Sequence, residues 1–84
     1  MSRIAGVVVR TLPGAHEEVG RQLAALPEIE IAAAAEHGYS VVLTAPTARR
    51  QEALHDVIRA WPGVLEIAVA FQSSEVEETA EVSA

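Results

Sequence analysis

A proline-centred segment occurs twice in this chain, 35 residues apart: Leu26-Pro27-Glu28-Ile29 and Trp61-Pro62-Gly63-Val64. Each copy closes a stretch whose apolar residues recur at spacings of three and four, and each opens a β-branched run. The residue before a proline avoids helical angles, so each copy ends a helix. A further β-like run precedes each helix. The chain is therefore a strand-helix-strand unit made twice, and two such units in one small domain share a four-stranded sheet with both helices on one side.

The reading along the chain is as follows. Ile4 to Val9 forms strand one, and Thr11-Leu12-Pro13-Gly14 turns the chain. The first helix runs from Ala15 to Ala25, with Val19, Leu23 and Leu26 on its buried face. Glu17 and Glu18 lie in its first turn, at the positive end of the helix dipole. Strand two is Ile29 to Ala35, with Ile29, Ile31 and Ala33 alternating inward. Glu36-His37-Gly38 is a hairpin turn, and strand three is Tyr39 to Ala45. Thr47 caps the second helix, whose buried stripe is Leu54, Val57, Ile58 and Trp61. Val64 to Phe71 is strand four. Right-handed crossovers turn this βαββαβ order into a ferredoxin-like α+β fold, an antiparallel sheet of strand order 4-1-3-2 with two helices on one face.

Charge separates a domain from a tail. The net charge is −6, with no Lys at all. Residues 73–84 contain Glu75, Glu77, Glu78 and Glu81 and no basic residue, so they read as a disordered acidic tail behind a folded domain of residues 3–72. Clustered cations, the requirement for nucleic-acid binding, are missing. Without cysteine there is no disulfide, thiolate or zinc-ribbon chemistry. No apolar run approaches a membrane span, and no export signal opens the chain, which predicts a cytoplasmic protein without membrane insertion.

Catalysis finds no support in the pattern. His16, His37 and His55 fall on separate elements without metal-ligand spacing and read as ordinary surface residues, so neither a metal nor a cofactor is expected. No glycine-flanked serine and no phosphate loop are present, and a chain this small has little room for a cleft. Arg49-Arg50 sits mid-chain at a helix start and reads as a solvated pair.

Strand alternation then divides the sheet. The bulkier set, Val7, Val9, Ile29, Ile31, Val41, Leu43, Ile67 and Val69, should face the helices. The opposite set is Gly6, Val8, Arg10, Glu30, Ala32, Ala34, Ser40, Val42, Thr44, Glu66, Ala68 and Ala70. That face is mostly alanine and valine with charges at its margins, and on this parity it carries no aromatic residue. An uncovered apolar floor of this kind marks a contact surface.

The ordered set Ile4-Ala5-Gly6-Val7-Val8-Val9-Arg10, Leu26-Pro27-Glu28-Ile29-Glu30-Ile31, Gly38 with Val41-Val42-Leu43, and Val64 to Phe71 resembles the NapD family over about residues 3–72. Glu28 departs from it, standing where the family usually has Gly after the proline; Pro62-Gly63 keeps that pattern. The resemblance implies a cytoplasmic, non-enzymatic chaperone of the periplasmic nitrate reductase. Its partner would be the twin-arginine signal peptide of the catalytic subunit, held back from export until the molybdenum cofactor is inserted. The peptide would lie as a helix across a floor of Val8, Ala32, Ala34, Val42, Thr44, Ala68 and Ala70, the alternative being an extended strand added beside strand two. Glu30 and Glu66 would receive its guanidinium groups, with Arg10 opposing a misplaced arginine or pairing with a neighbouring acid. Monomer or weak dimer is the expected state. A small-molecule-sensing or oligomerisation module of the same topology is the second reading, although Thr11-Leu12-Pro13-Gly14 offers little to a ligand.

Overall fold

The computed structural model describes residues 3–74. Its elements are β1 (Arg3–Thr11), α1 (His16–Ala24), β2 (Ile29–Ala35), β3 (Gly38–Ala45), α2 (Ala48–Arg59) and β4 (Val64–Ser74). The sheet is antiparallel in the order β2-β3-β1-β4, the expected 4-1-3-2. β4 continues past residue 72 and pairs Ser73 with Ile4 and Ser74 with Arg3. The rest of the acidic segment, with its expected disorder, lies outside the described residues.

The duplicated segment is duplicated in its hydrogen bonds. Leu26 N–H donates to the Leu23 carbonyl and Ile29 N–H to the Leu26 carbonyl, both at 3.1 Å. Trp61 to Ile58 and Val64 to Trp61 repeat these bonds at 3.1 Å. Each proline thus follows a residue that closes the helix with a tight turn, and the next strand starts three residues on. Thr47 caps α2 as expected, its hydroxyl accepting from Arg50 N–H at 3.1 Å.

Both helices lie on one side. Val19 and Leu23 of α1 and Leu54 and Ile58 of α2 meet Ala5, Val7, Val9, Val41 and Leu43 of the sheet, all essentially inaccessible to solvent. The buried stripe of α2 differs from the expected one. Gln51, Leu54, His55 and Ile58 are buried, whereas Val57 is 44% exposed. The stripe follows the i, i+3, i+4, i+7 spacing from Gln51, and Val57 falls off its edge.

Two irregularities overturn part of the expected parity. Between Ile31 and Ala33 the β2–β3 register shifts, so that Ala33 pairs with Ser40 and Ala34 with Tyr39. Ala33 therefore joins the open side, and Ala34 sits opposite a helix-side residue, the reverse of the alternation expected for both. Between Gly6 and Val7 the β1–β4 register shifts in the same way: Val7 pairs with Val69 but Gly6 with Phe71, leaving Ala70 as the extra residue. An extra residue in one strand reverses the side every later side chain takes. Phe71 is thereby delivered to the open face, where the unbroken pattern allowed no aromatic.

Candidate functional site: the open face of the sheet

The uncovered side is built from rows of paired residues. One row runs Ala33–Ser40–Val8–Ala68 and the next Glu30–Val42–Gly6–Phe71. Arg10 and Glu66 are partners at the hairpin end, and Thr44 and Ile4 at the other. Of the residues expected here, Val8, Arg10, Glu30, Val42, Thr44, Glu66 and Ala68 share the face by register. Ala32 and Ala70 are unpaired residues at register shifts, and Ala34 has moved to the other side. The helices leave the plane uncovered: Glu30, Ser40, Thr44 and Ala68 are exposed, Val42 is half-buried and Val8 is 38% exposed.

Missed by the pattern was Phe71, 52% exposed on this face. Its ring lies across Gly6, so closely that a Cβ there would overlap it. A glycine in an otherwise β-branched strand signals close approach of another group, and Gly6 was the available clue.

Charges stand at the margins. Arg10 Nη1 donates to Glu66 Oε2 at 3.0 Å, with both side chains more than half exposed. A pair this exposed contributes only about 0–1 kcal/mol, so an incoming guanidinium can replace Arg10 on Glu66 at little cost. Glu30 has no ion-pair partner among the described residues. A hollow of about 460 Å³ opens beside Val8, Arg10 and Ser40, walled by Ala33, Glu36 and His37 of the hairpin. Sequence reading expected little room for a cleft. The irregularity after Ile31 and the short alanine side chains create one.

The remaining candidates disperse. His16 stacks on Tyr39 at 4.3 Å between ring centroids, and its Nδ1 lies 3.3 Å from Thr11 Oγ1, on the helix side. His37 is exposed at the hairpin. His55 is buried, contrary to its reading as a surface residue, and burial followed by nearby Arg59 lowers its pKa. Among the described residues no three His, Asp or Glu side chains gather as a metal set. Arg49-Arg50 is a solvated pair only in part, because Arg50 Nη2 reaches Glu28 Oε2 at 2.9 Å and holds that carboxyl below its usual range. No described helix is long and apolar enough to cross a membrane.

The molecule is a ferredoxin-like α+β domain with helices on one side of its sheet and a floor of mostly small residues on the other. The family model of the NapD protein matches residues 2–76, and the chain belongs to the NapD family. Among solved structures, the solution structure of the E. coli Tat proofreading chaperone protein NapD superposes with a TM-score of 0.77 at 21% identity. The match covers 88% of this chain and 80% of that one, and at this identity it establishes the fold. A search of the curated proteins finds no match.

Proposed function

We propose that this chain is a cytoplasmic chaperone that binds the twin-arginine signal peptide of the periplasmic nitrate reductase catalytic subunit, and withholds it from export until the molybdenum cofactor is inserted. The observation that carries the reading is the uncovered floor of Val8, Val42, Thr44 and Ala68, rimmed by carboxylates. Membership of the NapD family supports it, as does a fold shared with a protein described as a Tat proofreading chaperone.

The physics is occlusion, without bond-making chemistry. Short side chains let the backbone of a docked helix approach the sheet closely, and the apolar stretch of the peptide loses water against them. Glu30 and Glu66 accept the guanidinium groups. A signal so covered is hidden from the translocase. Competition followed by release calls for affinities between micromolar and nanomolar, about 8–12 kcal/mol. Glu75, Glu77, Glu78 and Glu81 add negative charge, which raises the encounter rate with a basic peptide more than the affinity.

Calorimetry with a synthetic twin-arginine signal peptide tests the reading. Ala68→Asp places a desolvated charge under the peptide and should weaken binding by about a hundredfold or more, with an unchanged circular dichroism spectrum because Ala68 is exposed. Unchanged affinity of this variant refutes the docking face.

A further inference from the structure

Phe71 and Gly6 form a device that the proposed floor of small residues does not include. Two independent departures from regular sheet structure serve it. The extra residue Ala70 turns Phe71 onto the open face, and Gly6, opposite in register, has no Cβ to bar the ring from lying across β1. The ring remains 52% exposed. A half-exposed aromatic side chain accommodated by both partner strands is a costly arrangement for a surface with nothing to bind.

Resting on the function proposed above, we infer that Phe71 is the residue that selects for the apolar segment of the bound peptide, and that it takes an aliphatic or aromatic side chain rather than an arginine. Its surroundings decide between the two. Ile4 and Val8 flank Gly6 on the open face of the adjacent strand, Val42 lies beyond Gly6 in the same row, and Ala68 precedes Phe71 on its own strand. Glu30 lies in the same row but at the opposite edge of the sheet, three strands away, and Glu66 lies two rows off. Among the described residues no carboxylate lies beside Phe71, so a guanidinium there would have only an exposed cation–π contact to hold it. An apolar side chain buries both itself and the exposed ring. Large aromatic anchors of this sort dominate the affinity of an interface.

A double-mutant cycle measured by calorimetry tests the assignment. Phe71→Ala should weaken binding of a synthetic twin-arginine signal peptide about tenfold. The loss should vanish when the apolar run of the peptide is replaced by serine and glutamine on a background that still binds measurably, and persist when the arginines are replaced by glutamine. Gly6→Ala, which displaces the ring without removing it, should reproduce the loss, and Phe71→Leu should restore most of the affinity. Wild-type affinity for Phe71→Ala, or a loss coupled to the arginines instead, overturns the assignment and leaves the docking face standing. A wild-type chain that binds no such peptide overturns both.

Discussion

Tyr39 makes three contacts between β3 and α1 through one side chain. Its hydroxyl donates to the His16 carbonyl at 2.8 Å, its ring stacks on the His16 imidazole, and it passes over Gly20, where a Cβ would overlap the hydroxyl. β3 is thus fastened to the start of α1 on the helix side, which keeps this aromatic away from the open face. Removing only the hydroxyl leaves the packing and deletes the bond, so Tyr39→Phe should lower stability by about 1 kcal/mol, read as a lower urea midpoint with an unchanged slope. Equal midpoints would show that the bond contributes nothing. Glu28 makes a comparable tie between the start of β2 and α2 through Arg50. Its identity departs from the Gly63 of the second copy, and an acid at this position meets a cation presented by the first turn of the helix.

At the scale of elements, what the sequence disclosed and what it hid have the same cause. Prolines after Leu26 and Trp61, the Thr47 cap and the Val19–Leu23 stripe are local signals, and each appears in the structure where the residues place it. The strand irregularities at Ala32 and Ala70 are non-local. Ala32-Ala33-Ala34-Ala35 has no large and small residues to alternate, so nothing in it marks where the register slips. In Ala68-Val69-Ala70-Phe71 the alternation is perfect and misleading, because Phe71 reaches the open face through space that Gly6 leaves on a different strand. His55 was equally hidden: an i+4 spacing from Gln51 and an i−3 spacing to Ile58 place it in the buried stripe, while its polarity suggested the surface. The consequence is a pH dependence. Burial disfavours the imidazolium, so the folded chain takes up the proton at lower pH than the unfolded chain, whose ordinary value is 6.5. Stability is therefore full above that value and is lost as the pH falls below it. Between about pH 7.5 and about pH 5 the wild type should lose stability relative to His55→Gln in urea titrations. Parallel curves for the two proteins would contradict the burial of a neutral imidazole.

For the whole molecule, the decisive property is asymmetry. Two helices cover one side of the four-stranded sheet, and among the described residues no helix covers the other. The helix side holds most of the bulky β-branched residues and the core; the open side is mainly small residues with Ile4, two valines and Phe71, and charges at its margins. That division was legible in the strand alternation for β1 and β3, which are regular against each other throughout. It failed on parts of β2 and β4, the edge strands, where the irregularities lie. An edge strand pairs on one side only, so it bends and slips with less to restrain it.

Titration of the isotope-labelled chain with a synthetic twin-arginine signal peptide, followed by amide and methyl chemical shifts, tests the docking role most directly. Shifts should move together at Val8, Ser40, Val42 and Ala68, while Val19, Leu23, Leu54 and Ile58 on the far side stay in place. Changes confined to the helices or to the outer edge of β2, or no change at saturating peptide, would contradict a sheet that escorts its client on its bare side.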